Sequence, residues 1–283
     1  MNINKLLKAI IPFNIYLPLK TNNMKMLRLL LISLIFFGCH NKNYQPGTTQ
    51  KMKWINLFNG KDLSNWTPKI SGFALGENYN NTFRVADGIL STRYDRYDSF
   101  NNKFGALYFN KKFTNYRLRF EYRFVSNTAP GGPSWGFRDG GVQYHCQAPA
   151  TVGLNQSFPV CLEYNLLGGD GTKERPTGEI CASGMTVEIN GTTNKTYCTP
   201  PTVKRTFTGD VWVTGEIEVR DGTITHFVNG EQIIQFKNPM LVDTHPIAKT
   251  LIKNGDKKVT DGYISIQSNS HPMDYRKIEI MEY

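Results

Sequence analysis

Two titratable side chains stand among amides at strand spacing in this chain. In Val160-Cys-Leu-Glu-Tyr-Asn-Leu166, the apolar Val160, Leu162, Tyr164 and Leu166 fall on one face of a period-two pattern, with Glu163 and Asn165 on the other. In Gly141-Val-Gln-Tyr-His-Cys146 the same parity puts Val142, Tyr144 and Cys146 on one face, and Gln143 and His145 opposite. Near the C-terminus, Ile264 and Ile266 face a core while Ser265, Gln267 and Asn269 oppose them, and His271 follows. If these strands share one sheet, Glu163, His145, Gln143, Asn165 and Gln267 converge on a polar surface that His271 borders. A carboxylate and an imidazole held among amides are the parts of general acid–base catalysis, worth about 10²–10⁴-fold per positioned group. Glu163 is the first candidate base, or a metal ligand, and His145 the second titrating group. The competing readings are a solvated Glu163 paired with Arg138 or Arg175, and a structural His145.

Such a surface needs a sheet, and period two dominates the chain. In Tyr116-Arg-Leu-Arg-Phe-Glu-Tyr-Arg-Phe124 five apolar residues share one face and four charged residues the other. Trp212–Arg220 and Thr223–Val228 alternate too, with Asp221-Gly222 as a tight turn between them. Asn229-Gly230 turns the chain into Glu231–Phe236, and Asp87-Gly88 joins Thr82–Ala86 to Ile89–Thr92. Gly262–Ser268 and Arg276–Tyr283 read as closing strands. No stretch makes an amphipathic helix of three turns. Many short strands with frequent turn signals predict an all-β sandwich or jelly roll, one domain over residues 52–283.

The first 51 residues read as an address. Residues 1–38 hold Lys5, Lys8, Lys20, Lys25, Arg28 and no acid, half of the net charge of +10. The remaining charges are interspersed without like-charge blocks, which argues against nucleic-acid binding. Lys25 and Arg28 precede the apolar run from Leu29 to Phe37, then Gly38 and Cys39. That is the order of a secretory signal, and the run falls short of the ~20 residues that span a bilayer. A cysteine after the small residue resembles a lipobox, so Cys39 is the expected lipidation site, with the true start at Met24 or Met26. Residues 39–51 are polar and breaker-rich, a tether. Without an acidic run they favour a periplasmic protein, lipid-anchored to the bacterial outer membrane. An export signal followed by Cys146, Cys161, Cys181 and Cys198 predicts two disulfides. Cys181–Cys198 is favoured as a local staple, which leaves Cys146–Cys161; buried free thiols are the alternative.

Several motifs occur in a recognisable order: Trp54-Ile-Asn-Leu-Phe-Asn-Gly-Lys-Asp-Leu-Ser-Asn-Trp66, Arg84-Val-Ala-Asp-Gly-Ile-Leu90, Gly140-Gly-Val-Gln143, Cys161-Leu-Glu-Tyr-Asn-Leu-Leu167, Thr225-His-Phe-Val-Asn-Gly230 and Gly262-Tyr-Ile-Ser-Ile-Gln-Ser268. The series resembles the 3-keto-disaccharide hydrolase family, also described as 3-keto-glucoside 1,2-lyase/2-hydroxy-glucal hydratase. The resemblance implies a concanavalin A-like jelly roll of two curved antiparallel sheets with a carbohydrate site on the concave side. It also implies periplasmic breakdown of glycosides oxidised at C3. The chain departs from the family at Asp139-Gly-Gly-Val142, where Asn-Ser-Gly-Ile is common, and at Glu163-Tyr-Asn165, where Glu-x-Gln is common.

A C3 ketone acidifies the C2 proton, so the glycosidic bond can break by β-elimination. That chemistry takes a base at C2, an acid at the leaving oxygen and a group that holds enolate charge. Gln143, Asn165, Gln267 and His271 are the expected substrate contacts. Trp135 is a candidate to stack on a sugar, or else a loop anchor. Asp139 and Asp170, in Gly-rich loops, could line the rim or bind a divalent metal, and the cofactor otherwise stays open. A retaining glucanase is disfavoured, because such enzymes place two carboxylates about 5–5.5 Å apart and the positions flanking Glu163 on its face are Cys161 and Asn165. The alternatives are a non-catalytic carbohydrate-binding envelope lipoprotein and a structural or adhesion domain.

Overall fold

The five apolar residues of Tyr116–Phe124 are all buried, and the charged residues between them form the outer face of that strand. There they pair across strands: Arg117 with Glu216 at 2.9 Å, Arg119 with Glu279 at 2.7 Å and Arg123 with Asp274 at 2.8 Å. Arg119 and Arg123 also lie over the rings of Trp54 and Trp212. Alternation therefore separates the core from an outer charge ladder in which part-exposed arginines lie against the buried carboxylates of Glu216 and Asp274.

A computed structural model describes residues 52–283; residues 1–51, including the signal segment, Cys39 and the tether, lie outside the described residues. The strands form two antiparallel sheets, a jelly-roll β-sandwich. One sheet runs Thr192–Asn194, Met185–Ile189, Glu231–Leu241, Thr223–Val228, Val213–Arg220, Tyr116–Phe124, Met273–Glu282, Ile89–Thr92, Phe83–Ala86, with Ile55–Asn56 also on the Met273–Glu282 strand. The other runs Cys198–Thr199, Glu179–Ser183, Cys161–Leu167, Asp139–Cys146, Gly262–Ser268, Gly105–Phe113, Trp66–Ile70. Among the described residues the α-helix Ala248–Leu251 is the only one.

The turns follow their residues. Asp87-Gly88, Asp221-Gly222 and Asn229-Gly230 each hold two successive positive φ angles. That geometry matches the strand twist, and Asx-Gly tolerates it. Two strands outrun the sequence pattern. Glu231–Phe236 continues to Leu241, and the last strand begins at Met273, before Arg276.

The inner face of the seven-stranded sheet contributes Leu107, Val142, Tyr144, Leu162, Tyr164, Leu166, Ile264 and Ile266 to the core between the sheets. Its outer face carries Gln143, Glu163, Asn165, Ser265 and Gln267, all buried. A second aromatic cluster, Tyr94, Tyr97, Phe100 and Phe104, borders that polar face. It is tied there by the hydrogen bond between Tyr94 Oη and Ser268 Oγ, 3.0 Å. Loops rather than solvent therefore cover much of the polar surface.

Candidate functional site

Glu163 sits in mid-strand, facing Gln143 on one neighbour and Cys181 on the other. Gln143 Nε2 and Gln267 Nε2 each donate to its Oε2 at 3.0 Å. Gln143 is itself set by Ser265 Oγ, which donates to its Oε1 at 2.9 Å. Both amides converge on one oxygen, so a proton on the carboxyl belongs on Oε1. The side chain lies along the sheet over Gly141, where a Cβ would come within 2.6 Å of the carboxyl carbon. Desolvation, opposed by the Gln143 bond and reinforced by Asp139, pushes the carboxyl up to about 8.

Asp139 is the second carboxylate. It begins the adjacent strand, opposite Leu167, and its Oδ1 accepts a hydrogen bond from Asn269 Nδ2. Arg175 Nη2 lies 3.5 Å from its Oδ2. Burial outweighs these partners and raises Asp139 to about 7. Arg175 also donates to the carbonyls of Phe137, of Gly168 at 3.1 Å and of Trp135 at 3.1 Å, so one guanidinium fixes both the carboxylate and the Trp135 loop. The competing reading, Glu163 paired with Arg138 or Arg175, does not occur. Arg175 takes Asp139, and Arg138 reaches Asp210 at 3.2 Å. The carboxylate missing from the Glu163 strand is thus supplied by its neighbour, which single-strand parity cannot reveal.

Glu163 and Asp139 open into a hollow of about 210 Å³ shared with Asn165, Gln267 and Asn269 and walled by Trp135, Phe158, Tyr197 and the Cys181–Cys198 bridge. Trp135 stacks on Phe104 with centroids 5.7 Å apart. The amide donors are spent on carboxylates: Gln267 on Glu163, Asn165 on Glu179 and Asn269 on Asp139. Their carbonyl oxygens, Asn165 Oδ1, Gln267 Oε1 and Asn269 Oδ1, are left buried without a donor. Buried acceptors without donors are costly and call for an explanation. A ligand rich in hydroxyl groups supplies the missing O–H donors.

Asp139, Asn165 and Trp135 also line an adjoining hollow of about 410 Å³ that holds Asp170 and Arg175. Asp170 is an exposed turn residue whose Oδ1 accepts from Thr172 N and Oγ1, both 2.8 Å, and Lys173 N, 3.2 Å. These bonds hold its pKa below the usual range. The expected metal candidates Asp139 and Asp170 are therefore committed to different partners. Among the described residues, Glu179, Cys181 and Cys198 are the one acidic–thiol trio within ligand spacing. Its two sulfurs are bonded to each other.

Two histidines lie elsewhere. His145 sits in a β-bulge with φ +49°, where three steps on its strand (Gln143 to Cys146) oppose two on the next (Ser265 to Tyr263). The bulge aims its ring away from Glu163 into a separate hollow with Lys112 and Asp261. Burial holds it neutral, at about 4. Gly262 makes room, since a Cβ there would meet the His145 carbonyl carbon at 2.4 Å. His271 is 1% exposed, takes Thr128 Oγ1 at 2.9 Å on Nδ1 and packs edge-on against Phe124 and Phe137. It braces the loop and does not line the hollow. Gln143, 1% exposed, orients Glu163 and touches no open space.

The bulge also corrects the cysteines. Parity assigns Cys146 to the core face, but the extra residue turns it to the outer face, beside Cys161, Ala106 and Tyr108. Cys181 and Cys198 are bridged, whereas Cys146 and Cys161 are buried free thiols. Asn269, which parity puts on the face of Gln267, lines the hollow as well. Tyr197 and Phe158 carried no signal.

Residues 53–281 match the family described as 3-keto-alpha-glucoside-1,2-lyase-like domain. The chain belongs to this family. No curated protein sequence matches it. Of solved structures, a protein of Parabacteroides distasonis ATCC 8503, proposed to be a glycosyl hydrolase, is 18% identical with a TM-score of 0.51, over 81% of this chain and 94% of that one. A second such protein from the same organism is 16% identical, with a TM-score of 0.48, over 82% and 100%. A Bacillus licheniformis β-glucanase is 12% identical, with a TM-score of 0.45, over 83% and 99%. At these identities the likeness is one of fold. This 3-keto-alpha-glucoside-1,2-lyase-like domain therefore has a carbohydrate-related function, and its own side chains must supply the rest.

Proposed function

We propose that this lyase-like domain cleaves glycosides oxidised at C3, by elimination across C1–C2. The observation that carries the reading is the set of three buried amide oxygens without donors around two carboxyl groups raised to about 8 and about 7. The oxygens accept sugar hydroxyls. Between the two values the carboxyl pair shares about one proton, and the reactive form is the one with that proton on Asp139 and Glu163 ionised. Glu163 takes the proton from C2, the electrons form the C1–C2 double bond, the C1–O bond breaks, and Asp139 protonates the leaving oxygen. Water then adds to the 2-hydroxy-glucal. Carboxyls poised near the working pH suit a C–H made acidic by an adjacent ketone and give less advantage with an unoxidised glycoside.

Incubation of the full-length protein with 3-keto-trehalose and with trehalose tests this. Cleavage of the keto sugar alone is expected. Equal cleavage of both overturns the elimination, and binding of both without turnover makes the site a binding module. A chelator arm reads any metal requirement.

The protein also acts, in this reading, as a periplasmic lipoprotein anchored to the outer membrane through Cys39. Support comes from the basic–apolar–Gly38-Cys39 order and from the Cys181–Cys198 bridge, a bond at home in an oxidising compartment. Replacing Cys39 by Ser should move the protein to the soluble periplasmic fraction; retention on membranes overturns the anchor.

A further inference from the structure

Glu163, Cys181 and Cys198 are register partners in succession, stepping from the reactive carboxylate to the edge of the sheet. That edge is the strand Cys198–Thr199, two residues long. Tyr197 precedes it, held through its carbonyl by Ala182 N–H at 2.7 Å. The bridge, closing a separation of 17 residues, is the covalent tie of this segment to the sheet.

Tyr197 is 55% exposed, yet it lines the hollow together with Glu163, Trp135 and Phe158. Burial first, then the nearby Glu163 carboxylate, raises its hydroxyl above the ordinary phenol range. The residue thus stands between water and the hollow that holds the carboxyl pair. Trp135, across the hollow, is backed by Phe104; among the described residues no aromatic ring backs Tyr197. A half-exposed tyrosine on a two-residue edge strand contributes little to the core. An aromatic face fixed beside a polyol site offers the apolar C–H face of a sugar a partner.

We infer that Tyr197 is a substrate-binding residue whose ring packs on the sugar presented to Glu163, and that the Cys181–Cys198 bridge sets the position of that ring. The inference rests on the proposed function for the identity of the sugar. It predicts that reducing the bridge weakens binding and leaves the chemistry intact, because Glu163 and its amide clamp belong to the inner strands.

KM and kcat for 3-keto-trehalose, measured on the full-length protein and its variants, test it. Tyr197→Ala should raise KM about 5- to 10-fold, the range for loss of one aromatic partner, with kcat within about twofold. Tyr197→Phe should match the wild type. Cys181→Ser with Cys198→Ser should raise KM like Tyr197→Ala, and the triple variant no further, since both changes remove one interaction. An unchanged KM in Tyr197→Ala, an equal loss in Tyr197→Phe, or additive losses in the triple variant overturn the inference. So does a bridge-less chain that never regains the wild-type circular dichroism, which makes the bridge a global staple. Should the wild type bind but not turn over the keto sugar, the elimination fails and calorimetric Kd values, in the same pattern across the variants, decide the inference. Absence of any binding overturns both.

Discussion

Glu163 lies over Gly141, on the adjacent strand: a Cβ on Gly141 would stand 2.6 Å from both the carboxyl carbon and Oε1 of Glu163. The glycine keeps an ordinary strand conformation, so its role is space and not backbone freedom. The free oxygen of Glu163, the one its two amide partners leave alone, is the one that occupies that space.

Gly141→Ala should therefore displace the carboxyl and lower turnover of a 3-keto glucoside by about 10²-fold, the scale of a misplaced acid–base group. The added methyl should cost about 1–3 kcal/mol of stability, which a denaturant titration reads. Full activity in the variant would show that Glu163 works from another rotamer.

Glu163→Gln keeps shape and removes the charge. Turnover should fall at least about 10²-fold. Stability should respond in the opposite sense. The folded-state value of about 8 lies above the ordinary 4.5, so the folded chain holds a proton that the unfolded chain has released between those values. The stabilisation from this group is fully present below pH 4.5 and is lost as the pH rises through 4.5–8. The variant should melt above the wild type at pH 9, by at least about 2–4 °C, the shift made by about 1 kcal/mol in a domain of this size. The two should converge at pH 4. A variant melting below the wild type at pH 9 would contradict a strained buried carboxylate.

Gln143→Leu removes one donor to Glu163 Oε2 without opening the hollow. Loss of that bond destabilises the carboxylate form, so the pH midpoint of kcat/KM should move upward by about one pH unit, the equivalent of one charge-assisted hydrogen bond. Activity lost on the acid side of the profile should recover part-way as the pH rises, up to the pH at which Asp139 gives up the proton that the leaving oxygen needs. A uniform loss at every pH would mean that Gln143 only supports the fold.

Alkylation of the unfolded, unreduced protein should label Cys146 and Cys161 and spare Cys181 and Cys198. Label on all four removes the bridge, and label on none closes Cys146–Cys161 after all. In the folded protein the burial that pushes the Cys161 thiol well up should keep it slow to react.

Strand, face and turn type were legible wherever one local rule decides them. Tyr116–Phe124 and Thr223–Val228 occupy the residues that alternation predicts, and the three Asx-Gly turns take the backbone that their residues favour. The same parity placed Glu163, Asn165, Gln143 and Gln267 on one polar face. It failed at His145 because one bulged residue inverts every assignment after it, and Cys146 was misplaced with it. The bulge depends on Gly262 of a strand more than a hundred residues away.

By itself, then, the sequence determined an all-β chain, its strand faces, its turns, its family and the place of Glu163 on the polar face, because period-two patterning and turn chemistry act over a few neighbouring residues. Tertiary structure alone decided the second carboxylate, the guanidinium on it, the separation of both histidines from the site and the aromatic walls. Each of those depends on register between strands distant in sequence or on a loop folding back over the sheet: Asp139 beside Glu163, Arg175 against the Trp135 loop, Tyr197 brought to the hollow by a disulfide. Register comes from the summed packing of whole strands, and no local window of residues contains that sum.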